Sequence, residues 1–97
     1  MARSELVAGI AGVLREERRY AKKLLERGDL GSAKLALAAI AEIEAGLREA
    51  ANGDAATYSE RLGEILRERR SDYLGLWNDD DGIGTSTFYR VMEMIAA

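Results

Sequence analysis

The apolar residues of this chain recur every three or four positions along almost its whole length, and no proline interrupts them. This spacing lines one face of an α-helix, and no segment shows the two-residue alternation of a strand. The pattern predicts an all-α fold with helices at about residues 4–27, 30–52, 55–77 and 86–96. We therefore expect an antiparallel three-helix bundle with a short C-terminal fourth helix.

Turn-forming and capping residues set these boundaries. Ser4 is the expected N-cap of the first helix, Gly28 its end, and Asp29 the cap of the second. Because only Gly28 and Asp29 separate the two helices, we expect them to form a hairpin. The remaining start and stop positions are Asn52, Gly53, Asp54, Thr57, Thr85 and Ser86.

The chain contains neither histidine nor cysteine. These two side chains supply the usual catalytic bases, thiol nucleophiles and zinc ligands, so the common catalytic triads and zinc sites cannot be assembled. We expect a protein that is not an enzyme and has no metal or cofactor. The lack of cysteine, of a signal-peptide pattern and of a membrane span predicts a cytoplasmic location.

The length and charge of the chain restrict its partners. Its 97 residues make one domain, residues 1–97, with room for one modest core. The net charge of -3 argues against strong nonspecific binding of the whole chain to DNA, which requires a basic surface. The excess of arginine over lysine and the heavy use of alanine are typical of GC-rich bacterial or phage genomes.

Several glycines fall inside the predicted helices, where each costs about 1 kcal/mol relative to alanine. We expect close helix approach to compensate for this cost, either inside the bundle or across a homodimer interface. The glycines concerned are Gly9, Gly12, Gly46, Gly63 and Gly75.

Three consecutive aspartates precede Gly82, and this acidic loop invites comparison with a calcium-binding EF-hand loop. With Gly82 as the central glycine, Trp77 and Phe88 occupy the first and last ligand positions, where carboxylates are required. We therefore interpret the loop as a solvated turn whose carboxylates favour the N-terminus of the next helix.

The segment GIGTSTFYRVM, residues 82–92, resembles the turn and recognition helix of the helix-turn-helix in serine recombinases of the resolvase and invertase family. The resemblance implies that Gly82 is the turn glycine and that Phe88 and Val91 are core positions. It also implies DNA binding through residues that face the major groove. Those residues are Thr85, Ser86, Thr87, Tyr89 and Arg90.

Five of the six aromatic residues lie in the second half of the chain, beside the acidic loop. Aromatic side chains are enriched in protein interfaces, whereas three aspartates repel a phosphate backbone. We therefore expect a small protein-protein interaction module, acting as a regulator, adaptor or inhibitor on a partner with a basic surface, and forming a homodimer. DNA binding is the alternative. The expected partner-binding residues are Tyr73, Trp77, Asp79, Asp80, Asp81, Phe88, Tyr89 and Arg90.

Overall fold

The computed structural model describes residues 2–97 and contains four α-helices. They are α1 (Arg3–Glu26), α2 (Leu30–Ala51), α3 (Tyr58–Leu76) and α4 (Ile83–Ala96), and a 3₁₀ turn at Ala55–Thr57 leads into α3. Residues 2–97 contain no strand. The prediction of an all-α fold is confirmed.

The fourth helix is a full member of the bundle, because it packs against α1, α2 and α3. Its Phe88 and Val91 are completely buried in the same apolar cluster as Leu62 and Ile43. Burying one such side chain contributes roughly 1.5–3 kcal/mol. The fourth helix, which we expected as a short addition to a three-helix bundle, therefore contributes fully to the core.

The connection between α1 and α2 follows the sequence prediction closely. Gly28 adopts a left-handed conformation with φ of 80°, which glycine reaches at no steric cost, and it ends α1. The Asp29 carboxylate then accepts a hydrogen bond of 3.2 Å from the backbone N–H of Ser32 at the start of α2. Arg18 on α1 and Glu44 on α2 form an ion pair between the two helices.

Two expectations about helix starts are wrong, whereas Asp54 does act at the start of the third helical segment as expected. Ser4 does not cap α1, because the helix begins at Arg3 and the N-cap residue is Ala2. The fourth helix begins at Ile83, three residues earlier than expected, so Thr85 and Ser86 lie inside its first turn. At the start of α3, Asp54 caps the 3₁₀ turn through a 3.1 Å bond from the N–H of Ala56.

The middle of α3 is tied to α2 by Arg69. Its guanidinium donates to Glu42 at 3.1 Å and to Glu49 at 3.3 Å. None of the helices in residues 2–97 combines the length and the apolar character that crossing a lipid bilayer requires.

Candidate functional site

The loop between α3 and α4 is organised by Asp79. Its carboxylate accepts hydrogen bonds from the backbone N–H groups of Ile83, Gly84 and Thr85, at 2.9, 3.0 and 3.0 Å, and from the Thr85 hydroxyl at 3.2 Å. These are N–H groups that the first turn of a helix leaves without an intrahelical partner. Asp79 therefore caps α4 from a position four residues before its first helical residue.

Tyr73 links this cap to the core. Its hydroxyl donates to the Asp79 carboxylate at 2.9 Å and also lies 3.3 Å from the carbonyl oxygen of Leu35 on α2. The ring packs against Phe88 with centroids 5.5 Å apart and planes tilted by 51°. Three predicted partner-binding residues, Tyr73, Asp79 and Phe88, therefore join α2, α3 and α4 within the chain.

The charge of Asp79 is stabilised by this arrangement. Partial burial opposes ionisation, but the hydrogen bonds from the Thr85 backbone, the Tyr73 hydroxyl and the Ile83 backbone outweigh it and lower the pKa of Asp79. Burial, together with the hydrogen bond to Asp79 and its negative charge, raises the pKa of Tyr73 above its ordinary value. At neutral pH the pair is a carboxylate and a neutral phenol.

Arg90 also forms its ion pairs within the chain. Its guanidinium donates to Glu17 at 2.7 Å and to Glu16 at 2.6 Å, and so fastens α4 to α1. Hydrogen bonding to Arg90 and its positive charge lower the pKa of Glu16. The Glu17 side chain is only 11 % exposed, so Arg90 is the group that compensates for its burial.

Arg90→Ala is expected to lower the free energy of unfolding by about 1–2 kcal/mol, because the substitution leaves the Glu17 carboxylate without its donor. Urea denaturation followed by circular dichroism measures this loss. In a double-mutant cycle with Glu17→Gln, the two effects should not add. Arg15→Ala is the matched control on an exposed arginine, and equal stabilities of the two arginine variants would contradict the assigned role.

The other predicted residues divide between interior and surface. Thr87 is completely buried, and Thr85 is half-buried beside Asp79. Trp77 packs its partly buried side chain against the core. The exposed residues from the two predicted sets are Asp80, Asp81, Ser86 and Tyr89.

A groove with an apolar floor runs along the surface between α3 and α4. It consists of two adjoining hollows of about 300 and 330 Å³, which share Met92 and Ala96. Gly63 and Ile95 complete the apolar floor. We call this feature the α3–α4 groove.

The rim of the α3–α4 groove is aromatic and charged. Tyr89 stands on the α4 side with 64 % of its surface exposed. The charged rim residues are Glu60, Arg67, Arg70 and Glu93. The ion pairs within residues 2–97 are formed by Arg18, Arg69 and Arg90, so these four charges have no partner in the described part of the chain.

Sequence reasoning identified only Tyr89 and Thr85 from this groove. It treated Gly63 as one of several helix glycines. The available signal was the spacing of Glu60, Gly63, Arg67 and Arg70, which three- and four-residue steps place on one face of α3.

A broader hollow of about 670 Å³ lies along α1, where Val7, Ala8 and Ala11 are its apolar residues. All of its lining residues belong to one helix, so it is an open helix face and has no second wall. In residues 2–97 no three acidic side chains come together in a group that could hold a metal ion.

Comparisons of the chain with protein-family models, with curated proteins and with solved structures find no match.

Proposed function

We propose that this chain is a small non-catalytic module that acts by contact with another protein, as a regulator, an adaptor or an inhibitor. The observation that carries the proposal is the α3–α4 groove, an apolar floor beside an aromatic side chain that is 64 % exposed. Single exposed apolar residues are common on protein surfaces, but a rimmed apolar groove is typical of a binding site. Tyr89 is the side chain best suited to anchor a partner.

The groove supports this proposal better than the acidic loop does. Of the three aspartates, Asp79 has its acceptor capacity occupied by α4 and Tyr73. Asp80 and Asp81 are exposed and lie at the N-terminal end of α4, so they can add long-range attraction for a basic partner. We therefore assign the docking contact to the groove and a steering role to these two carboxylates.

The same geometry weakens the alternative of DNA binding. A recognition helix needs its polar side chains free to reach base edges and phosphates. Here Thr87 is buried and Arg90 is paired with Glu16 and Glu17. The exposed Asp80 and Asp81 would repel phosphates near the start of the helix.

The test is a pull-down from lysate of the native host, with and without nuclease, using wild type, Tyr89→Ala and Tyr20→Ala. Tyr20 is an exposed tyrosine on α1 and gives a matched control. We expect a protein partner that survives nuclease and that both wild type and Tyr20→Ala retain. Tyr89→Ala should retain about tenfold less, which is the effect of losing an interface hot spot.

Circular dichroism should give the same helical content for all three proteins, since neither tyrosine is buried. Equal retention by the two tyrosine variants would rule out the α3–α4 groove as the docking site. Recovery of DNA, with protein partners lost after nuclease treatment, would instead favour the helix-turn-helix alternative.

A further inference from the structure

We propose that the α3–α4 groove docks a second copy of this chain, with the two α3 helices antiparallel and related by a two-fold axis between residues 63 and 64. This inference rests on the proposed function, because it names an occupant for the same groove. The proposal depends on two properties of the α3 face. Position 63 has no side chain, and the charges on either side of it are opposite in sign.

The fold of a single chain does not require a glycine at position 63. A Cβ atom built there would meet only the Arg67 guanidinium and the Ile95 side chain, each at 3.7 Å, which is ordinary contact distance. Gly46 differs, because a Cβ there would lie 2.6 Å from Leu66 in the core. A glycine in mid-helix costs about 1 kcal/mol relative to alanine. At Gly63, close approach by a helix from another molecule offers a compensating contact.

The charges along the groove face of α3 are self-complementary. Glu60 and Arg67 lie on either side of Gly63, and residues seven apart in a helix share a face. A two-fold axis perpendicular to α3 between residues 63 and 64 maps position 60 onto position 67 and position 63 onto position 64, so Gly63 of each copy leaves room for the exposed Glu64 side chain of the other. Glu60 of each copy then faces Arg67 of the other, so one symmetric contact forms two ion pairs.

Such self-complementarity is what a two-fold interface requires, because the same patch must fit itself. The groups are available, since neither Glu60 nor Arg67 forms an ion pair within residues 2–97. Tyr89, Met92 and Ala96 beside α3 add apolar area at the same face.

A stable interface buries about 800 Å² on each partner, which is about a seventh of the 5787 Å² surface of this chain. In a body measuring 43 × 25 × 21 Å, one long side makes up about a fifth of the surface. A dimer of standard size would therefore use most of the side formed by α3 and α4, of which the two hollows of the groove are one part.

Charge reversal tests the pairing. Sedimentation equilibrium over a range of concentrations gives the dissociation constant for wild type, Glu60→Arg, Arg67→Glu and the variant with both changes. We expect a dimer for wild type and weakening of about tenfold or more in each single variant, because like charges then face each other. The double variant should regain the dimer, and an equimolar mixture of the two single variants should form heterodimers.

Arg48→Glu, on an exposed arginine of α2, is the control and should leave the dissociation constant unchanged. A wild-type monomer at all concentrations would overturn the dimer, as would failure of the double variant to recover it while circular dichroism shows it folded. If the chain is a monomer but captures another protein in a Tyr89-dependent way, the dimer fails and the proposed function stands. Capture that does not depend on Tyr89 would overturn the groove as the docking site of the proposed function, while the charge-reversal series alone decides the dimer.

Discussion

Gly84→Ala is expected to lower the free energy of unfolding by about 2 kcal/mol, as overpacking of a filled core does. A Cβ atom at this position would collide with the hydroxyl of Tyr73 and would lie 2.8 Å from the Cβ of Ala39. Neither neighbour can move easily. Ala39 has no side-chain rotation to use, and the Tyr73 ring is held by Phe88 and by its hydrogen bond to Asp79.

The matched control is Gly75→Ala in the last turns of α3, where nothing lies within 4 Å of the added methyl group. This change should raise the free energy of unfolding by about 0.5–1 kcal/mol, because alanine is the better helix former. Urea denaturation followed by circular dichroism measures both variants. Wild-type stability in Gly84→Ala would show that α4 does not approach α2 as closely as described.

Asp79→Ala is expected to lower the free energy of unfolding by about 2–3 kcal/mol, the combined effect of losing a helix cap and a charged hydrogen-bond acceptor. The substitution leaves the N–H groups of Ile83, Gly84 and Thr85 without acceptors and removes the partner of the Tyr73 hydroxyl. Asp81→Ala, two residues along the same loop and exposed, should change stability by no more than about 0.5 kcal/mol.

Lowering the pH should remove the contribution of Asp79 to the free energy of unfolding. Its pKa is lower in the folded chain than the ordinary value of an aspartate, so the folded state binds this proton less readily than the unfolded state. The stabilisation is therefore complete above pH of about 4 and is lost as the pH falls through the lowered pKa. The stability difference between wild type and Asp79→Asn should be largest at neutral pH and shrink in acid. A constant difference down to pH 2 would contradict this assignment.

The helices themselves were accessible to sequence reasoning because their signals are local. The three- and four-residue spacing of Leu62, Leu66 and Tyr73 identifies the buried face of α3, and Gly28 with Asp29 identifies the first turn. The loop carboxylates were expected to favour the N-terminus of α4, but the cap was assigned to Thr85 or Ser86, because capping rules examine the residue next to the helix and Asp79 acts from four residues before it. Asp79 reaches the first turn through the left-handed turn at Gly82, where φ is 70°.

The remaining differences between the sequence-based predictions and the structure come from contacts between distant parts of the chain. Arg90 and Glu17 are separated by 73 residues, and no local sequence pattern predicts an ion pair between them. Met92 and Ile95 recur at the helical spacing that indicates a core face, yet they also form part of the floor of the α3–α4 groove. Periodicity says which side chains share a face, but the way neighbouring helices pack decides which of them stay uncovered.

The position of Trp77 gives this chain an internal optical probe. It is the only tryptophan, its ring packs partly buried against the core, and its backbone N–H donates to the Tyr73 carbonyl at the end of α3. Its emission therefore responds to the polarity around the segment that holds α4. Release of α4 should shift the emission to longer wavelength while the helical signal of α1 and α2 persists, so fluorescence and circular dichroism together would resolve local opening from global unfolding.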